Sequence, residues 1–373
     1  MSMLALKPPM GWNSWNTFSW RINEALIKET ADYIVDNGFR DAGYNVISID
    51  DCWMMRERDE NGRLVPDPVK FPNGLKVIGD YLHERGLKFG LYEDGGTLTC
   101  AGFPGSFGHE REDAKQFAEW GVDLLKYDFC YPAPGCSDVN MFRRMGQALR
   151  ETGRDIIFSG CWCVDGVWKW MRSCGVHMWR MAGDIMDSWE SITKVGFGAV
   201  GYEAYAGPSG WNDLDMMVVG VNGEGHVGEM GGGCSINEYQ AHFALWCLMS
   251  TPLLMGHDVR KTTPEIKAIL QNTELIAINQ DDAAIPAYRV PVIRNYYDIL
   301  AKPLANGDIA FGLFNREDND KNIPLAWDYC GWEVTDSVKL RDLISHEDIG
   351  TFRSNKTFRL PPHSCRVFRA TRV

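Results

Sequence analysis

The feature that most constrains this fold is a repeating unit. In each unit an amphipathic helix is followed by a short apolar run that ends at a polar residue. In the first unit Leu26, Ile27, Ala31 and Ile34 form one apolar stripe, which is the spacing of a helix with one buried face. Strand-like runs recur eight times, at positions 9–12, 44–51, 87–94, 122–128, 156–159, 178–184, 211–215 and 252–258. This alternation predicts an α/β protein with a parallel sheet, either closed into a (β/α)8 TIM barrel or open and doubly wound.

Aspartates at the ends of these runs favour the barrel over the open sheet. They are Asp50, Asp94, Asp128, Asp184, Asp215 and Asp258. In a barrel the C-terminal ends of all the strands gather in one ring, and barrel enzymes carry their chemistry on that face. An open sheet would spread the same residues along a crevice. We therefore predict a barrel with carboxylates around its mouth.

The pattern changes near Pro291, where helical periodicity gives way to short strands. Residues 296–300 and 309–314 flank Asn306 and Gly307, a pair typical of a tight hairpin turn. Further strand-like runs follow at 334–340, 357–360 and 365–368. We predict a catalytic barrel over residues 1–291 and a small antiparallel β-sandwich domain over residues 292–373.

Charge and composition argue against several classes of function. The formal net charge of −12 disfavours a nucleic-acid partner, because phosphate binding requires a basic face. The most apolar stretch, 242–255, is interrupted and too short to span a bilayer, and residues 1–9 show no export signal. We therefore expect a cytoplasmic protein. The 11 cysteines form no paired C-x-x-C motifs, so neither a metal nor a cofactor is predicted.

A glycine-rich segment matches the dinucleotide-binding pattern G-x-G-x-x-G at residues 223–228. That pattern binds pyrophosphate only when its last glycine opens a helix. Here three more glycines follow at 231–233, and the next helix begins later, at a capping box formed by Ser235 and Glu238. We interpret the segment as a flexible loop over the barrel mouth rather than a nucleotide site.

Two of the strand-end aspartates are candidates for glycoside hydrolysis, which requires one carboxylate as nucleophile or base and another as proton donor. Lys126 precedes Asp128 by two residues, so both side chains point to the same face, and a nearby ammonium group favours an ionised nucleophile. Asp184 ends the sixth run, four residues after Arg180. We expect the fourth and sixth strands to face one another across the mouth.

Tryptophans near the predicted strand ends are a second indication of carbohydrate binding, because sugar rings stack their apolar C–H faces on indoles. They are Trp12, Trp15, Trp53, Trp162, Trp179 and Trp211. Aromatic residues at such positions also serve as core packing. Both interpretations stay open for each tryptophan.

A series of strings, in order, resembles glycoside hydrolase family 27, the α-galactosidases and α-N-acetylgalactosaminidases. The strings are MGWNSW (10–15), IDDCW (49–53), G-L-Y (90–92), LLKYD (124–128), WR (179–180), GDI (183–185), WNDLDM (211–216), ALW (244–246) and AINQD (277–281). The resemblance spans residues 9–282 and extends more loosely into the C-terminal domain. It implies a retaining exo-glycosidase that releases terminal α-linked galactose from small α-galactosides without a cofactor.

By this resemblance Asp128 is the nucleophile and Asp184 the acid/base. The implied sugar contacts are Asp50 and Asp51 at O6 and O4, Lys126 at O3 and O4, Arg180 at O2, stacking by Trp15, and a lining of Tyr92, Cys100, Asp215 and Met216. Trp162 is a further candidate from the tryptophan pattern. Cys100 and Cys130 match a family disulfide beside the pocket. The expected partner is a small carbohydrate, with self-association left open.

One departure from the family pattern bears on the substrate. The family often carries Cys-Glu-Trp after the fifth strand, and that acid contacts the sugar's O2 substituent, whereas this chain has Cys161-Trp162-Cys163 without a carboxylate. The group accepted at C2 is therefore open. The same mechanism on α-N-acetylgalactosaminides or β-L-arabinopyranosides is one alternative, and a non-catalytic sugar-binding protein is an alternative of another class.

Overall fold

The computed structural model of the chain describes residues 3–228, 231–291 and 297–373. Eight parallel strands form the first sheet: β1 Met10–Asn13, β2 Val46–Ile49, β3 Lys88–Asp94, β4 Val122–Asp128, β5 Ile157–Cys161, β6 Met178–Arg180, β7 Trp211–Asp213 and β8 Leu253–Met255. Their order is β7-β6-β5-β4-β3-β2-β1-β8. Met217 closes the ring, because its N–H donates to Leu254 O at 2.7 Å and its carbonyl accepts from Gly256 N at 3.0 Å. The predicted barrel is confirmed.

Helices surround the barrel: α1 Trp15–Phe18, α2 Glu24–Asp36, α3 Gly74–Glu84, α4 Glu110–Glu119, α5 Asp138–Glu151, α6 Trp189–Gly198, α7 Gly225–Gly228, α8 Ile236–Leu248, α9 Pro264–Leu270 and α10 Thr273–Asn279. Several of their starts follow local capping rules: Asn23 accepts from Leu26 N in α2, and Ser235 and Glu238 form the predicted capping box of α8. Within the described ranges, none of the helices has the length and apolar character needed to cross a membrane.

Two strand expectations differ from the structure. β6 ends at Arg180, so Asp184 lies four residues beyond the strand, in the following loop, rather than at its end. β4 and β6 are separated only by β5 and do not face one another across the mouth. Asp184 therefore reaches the site from a loop, where the direction of a side chain is not set by strand alternation.

The C-terminal domain is an antiparallel sandwich. Its strands are β9 Tyr288–Arg289, β10 Asp298–Pro303, β11 Ile309–Asn315, β12 Lys321–Ala326, β13 Ser337–Asp342, β14 Glu347–Arg353, β15 Asn355–Leu360 and β16 Ser364–Arg372. Six of them form one sheet, in the order β14-β13-β16-β11-β10-β9, and β12 pairs with β15. Ile323 and Phe358 of the small sheet share a buried core with Phe311 and Leu340 of the large one.

The boundary between the domains was predicted at residues 291 and 292, and residues 292–296 lie outside the described part of the chain. The second sheet already includes β9, which pairs with β10. Tyr288 and Arg289 therefore belong structurally with the sandwich, ahead of the predicted boundary. A two-residue strand is too short to show period-2 alternation, so the sequence gives no signal for it.

The two domains are joined through a buried lysine. Lys302 on β10 donates to the hydroxyl of Ser250, just after α8, and to the carbonyl of Ile285 at 2.6 Å. Burial lowers the pKa of Lys302 to about 8, and the nearby Asp281 opposes that shift only in part. The lysine is fully buried, so its charge costs stability at neutral pH.

This lysine predicts a pH dependence of folding. Below pH 8 both the folded and the unfolded states carry a protonated Lys302. Between about pH 8 and 10.5 the unfolded state binds more protons, so stability from this residue rises with pH, by about 3 kcal/mol in all. The free energy of unfolding, measured with urea at pH 7 and at pH 9.5, should increase for wild type relative to Lys302→Met at the higher pH. Parallel pH profiles for the two proteins would contradict the shifted pKa.

Candidate active site

A cavity opens at the C-terminal end of the barrel. It is lined by Trp15, Asn16, Asp50, Asp51, Tyr92, Cys100, Lys126, Asp128, Cys161, Asp184, Asp215 and Met216. Ten of these are the residues that the sequence singled out, and the structure adds Asn16 and Cys161. The fold gathers them because the C-terminal ends of parallel strands meet at one face of the barrel.

Strand register explains which side chains share a layer of the site. β3 and β4 pair Tyr92 with Lys126, and β4 and β5 pair Asp128 with Cys161. Paired residues of parallel strands point to the same face of the sheet. Lys126 and Asp128, two residues apart, therefore both reach the cavity, as predicted.

Lys126 forms its ion pair with Asp50 rather than with Asp128. Its Nζ lies 2.7 Å from Asp50 Oδ2, and Asn13 donates to the same oxygen at 2.7 Å. Burial favours the neutral amine, but the charges around it, led by the Asp50 carboxylate and including Asp128, together raise the pKa of Lys126. The lysine is thus held charged on the β2 side of the site.

Asp128, at the end of β4, is held in a mostly buried position. Burial raises the pKa of its carboxyl group, while the charges of Lys126 and Arg180 and the N–H of Phe129 oppose that rise. The hydroxyl of Tyr92 donates to its Oδ2 at 3.3 Å. Lys126 favours the ionised form, as the sequence predicted, but desolvation is the larger effect and the net shift of this pKa is upward.

Asp184 is the more exposed of the two catalytic candidates, with 75% of its side chain accessible. Arg180 Nη2 lies 3.0 Å from its Oδ1 and 2.9 Å from Asp215 Oδ2. Burial of the Asp184 carboxyl raises its pKa, but Arg180, Lys126 and His226 act the other way, and the net shift is downward. The free site therefore favours an ionised Asp184.

Two further carboxyl groups are anchored by backbone N–H groups. Asp51 accepts from Cys52 N at 2.6 Å and Ala101 N at 3.1 Å, and burial nevertheless raises its pKa to about 6. Asp94, beside Asp128 in the sheet, accepts from Gly96 N and Cys130 N. Burial raises the pKa of Asp94 to about 7.

One group of side chains has the composition of a metal site. The ligand atoms of Asp94, Cys100, Asp128 and Cys130 all lie within 4.8 Å of one another. Cys100 and Cys130 are joined as a disulfide, with Cα atoms 5.1 Å apart, which agrees with the pairing that the family resemblance implied. Bonded sulfurs offer no thiolate, and a metal ligand requires the thiolate form.

Arg180 and Trp162 do not line this cavity. Arg180 lies just beneath it, in a smaller cavity that shares Lys126, Cys161, Asp215 and Met216 with the first. Trp162 donates its indole N–H to Asp138 at 2.9 Å and packs edge-on against Phe129.

The remaining strand-end candidates serve the fold. Asp258 caps the 3-10 helix Val259–Lys261 and pairs with Arg260, so only part of the predicted ring belongs to the site. Of the six tryptophans near predicted strand ends, four are fully buried in the core: Trp12, Trp53, Trp179 and Trp211. Among the six tryptophans near strand ends, Trp15 is the one that lines the cavity.

Asn13 and Asp213 have roles that the sequence interpretation missed. Asn13 accepts from Trp15 N at 2.8 Å while donating to Asp50, so it fixes both. Asp213 accepts from Asp215 N at 2.9 Å and supports that residue at a φ of 76°. Asn13 lies inside the matching string 10–15, so the sequence could have indicated it as a site residue. Its hydrogen-bond partners could not be read from the sequence.

Comparisons with known proteins agree with this architecture. The profile of the family described as Alpha galactosidase A matches residues 7–281, and that of the Alpha galactosidase C-terminal beta sandwich domain matches residues 294–370. Alpha-galactosidase 3 of Arabidopsis thaliana is 42% identical, over 98% of this chain and 82% of that protein. The alpha-galactosidase of Cyamopsis tetragonoloba is 39% identical, over 98% of this chain and 86% of that protein.

Solved structures agree as well. Alpha-galactosidase I from Mortierella vinacea is 34% identical with a TM-score of 0.93, covering 99% of this chain and 98% of its own. A β-L-arabinopyranosidase from Geobacillus stearothermophilus shares the fold, with a TM-score of 0.87 at 23% identity, over 98% of this chain and 97% of its own. With both domains matched and relatives near 40% identity along almost its whole length, the chain belongs to the α-galactosidase family of glycoside hydrolases, family 27.

Proposed function

We propose that this protein is a retaining exo-glycosidase that releases terminal α-linked galactose from small α-galactosides, with Asp128 as nucleophile and Asp184 as acid/base. The observation that carries the proposal is that both carboxyl groups line one cavity together with the buried Asp50–Lys126 pair. Relatives named as α-galactosidases support the same substrate class. A yeast relative, from Saccharomyces cerevisiae, has been solved with the α-galactoside raffinose.

The reaction has two displacements. In the first, an Asp128 oxygen bonds to the sugar's C1, the bond from C1 to the leaving oxygen breaks, and Asp184 gives that oxygen its proton. In the second, Asp184 takes a proton from water, the water oxygen bonds to C1, and the ester to Asp128 breaks. Two inversions return the α configuration.

The electrostatics of the free site bear on the first step, which requires a protonated Asp184. Its ion pair with Arg180 lowers its pKa, so substrate must loosen that pair. We infer that a bound sugar does so by drawing the exposed Asp184 side chain away from Arg180 and toward the glycosidic oxygen. Once Asp128 is esterified its negative charge is lost, and the pKa of Asp184 falls again, which suits its second role as a base.

A second candidate substrate class differs at C2. The loop after β5 supplies no carboxylate there, and the Cys161 sulfur lies 3.6 Å from Arg180 Nη1. Without the glutamate that follows this cysteine in the family pattern, more room is left beside C2, so an α-N-acetylgalactosaminide is the alternative that this observation favours. Comparing kcat/KM for the two aryl glycosides distinguishes them.

The roles of the two aspartates predict different products with azide. Asp128→Gly should lose turnover by several orders of magnitude, and azide entering in place of the nucleophile should give β-galactosyl azide. Asp184→Gly leaves the glycosyl ester able to form from an activated aryl α-galactoside, so azide should then give the α anomer. Proton NMR of the products distinguishes the anomers.

The matched control for this experiment is Asp258→Asn, which alters a strand-end aspartate outside the cavity. It should keep wild-type turnover and form no azide adduct. Exchanged anomers would reverse the two assignments, and an Asp128→Gly protein with a tenth of wild-type kcat would refute the nucleophile.

Asp50 predicts sugar choice at C6. If Asp50 accepts a hydrogen bond from O6, galactose satisfies it. A β-L-arabinopyranoside lacks the C6 hydroxymethyl group, so its carboxylate partner Asp50 makes one hydrogen bond fewer. The expected preference for galactoside is about tenfold to a hundredfold, and Asp50→Ile should erode it. Because that change also unpairs Lys126, the measurement is the ratio of kcat/KM for the two substrates on each protein. Equal rates for wild type on both substrates would show that Asp50 does not recognise O6.

A further inference from the structure

The glycine-rich loop, residues 222–234, is fixed at both ends by one hydroxyl group. Tyr239 Oη accepts from Asn222 N at 2.8 Å and from Cys234 N at 3.4 Å, and it donates to Asp187 Oδ1 at 2.8 Å. Residues 229 and 230 of the loop lie outside the described part of the chain. The described remainder is therefore attached to the segment that carries Asp184, three residues before Asp187.

Backbone contacts strengthen this attachment. Gly223 N donates to Asp187 Oδ2 at 2.8 Å, and Gly233 N donates to the Asp187 carbonyl at 3.1 Å. A Cβ on Gly231 would lie 2.5 Å from that same carbonyl oxygen. Gly231, which follows the nucleotide-like motif, is thus required for close packing against the loop after β6.

A second contact attaches the loop to α1. Gly225 has a φ of +79°, and a Cβ there would lie 2.6 Å from Thr17 Cα. Glu224 also forms an ion pair with Lys261 at 2.6 Å. α7 therefore packs directly on the short helix that begins with Trp15.

Between these two attachments lies His226. Its ring centroid is 5.6 Å from that of Trp15, in an edge-on arrangement, and the ring lies close enough to Asp184 for a charge on it to lower the pKa of that carboxyl. The side chain is half-buried. It borders the cavity on the Asp184 side without being one of the cavity-lining residues.

We propose that His226 is a specificity-determining residue of the leaving-group subsite, where its imidazole hydrogen-bonds a hydroxyl of a second sugar. The inference rests on the proposed function, because a proton donor must lie beside the glycosidic oxygen and Asp184 then marks the side on which the leaving group departs. Neutral imidazole has one hydrogen-bond donor and one acceptor. Either group can bind a sugar hydroxyl, whereas an unsubstituted aryl ring offers no hydrogen-bonding partner.

The test compares leaving groups on the same enzyme. For His226→Ala, kcat/KM for an α-galactosyl disaccharide should fall about tenfold more than kcat/KM for phenyl α-galactoside, which is the effect of one lost hydrogen bond. His226→Gln retains a donor and an acceptor, so it should recover most of the ratio of kcat/KM for the disaccharide to kcat/KM for phenyl α-galactoside. An equal loss of kcat/KM on the two substrates, or no loss on either, would overturn the inference.

A pair of glycine variants separates the loop's position from backbone strain. Gly225→Ala should displace α7 from Thr17 and lower the same ratio. Gly331→Ala, at a φ of +80° with no atom within 4 Å of the added methyl, should leave it unchanged. A wild type that hydrolyses neither substrate would refute the proposed function itself, whereas hydrolysis of both with an unmoved His226→Ala ratio would refute the subsite alone.

Discussion

Lys126 and Arg180 place two buried positive charges among the carboxylates at the mouth of the barrel, and the arrangement of the site depends on their ion pairs. Lys126 is bound to Asp50, and Arg180 lies within 3.0 Å of both Asp184 and Asp215. Without a counter-charge, carboxylates this close would take up protons, because burial and like charges both raise their pKa values. Removing either cation would leave a buried charge unpaired, which is strongly destabilising.

Backbone N–H groups stabilise the carboxyl groups that the two cations do not contact. Asp51 and Asp94 each accept two such bonds, and the pKa values of both stay raised because burial is the larger effect. Asp215 accepts from Ile185 N and Met216 N while holding a positive φ. A residue in that region costs conformational energy and persists only where its surroundings fix it. Here those surroundings include the loop that carries Asp184.

The glycine-rich loop shows how one pattern can serve unrelated structures. Its G-x-G-x-x-G spacing matches a phosphate-binding turn, but the glycines allow close packing on Asp187 and Thr17. The sequence interpretation was a loop over the barrel mouth rather than a nucleotide site, because three more glycines follow the motif and the next capped helix begins at Ser235. Its expectation of a flexible loop did not anticipate the contacts of Tyr239 and Asp187, since the hydroxyl and the carboxylate are 52 positions apart in the chain.

The sequence by itself determined the fold class, the eight strands, the sandwich and ten of the residues that line the cavity. The fold followed because strand alternation and helix capping are local, and the strand-end aspartates followed because parallel strands always end on one face. Asp51, Tyr92, Cys100 and Met216 were implied only by the resemblance to family 27. Only the tertiary structure decided the partners: Lys126 pairs with Asp50, Arg180 lies beneath the cavity, Trp162 turns to Asp138, and Asp184 enters from a loop. Those outcomes depend on distances between residues far apart in the chain and on the burial of each charge, which no local pattern encodes.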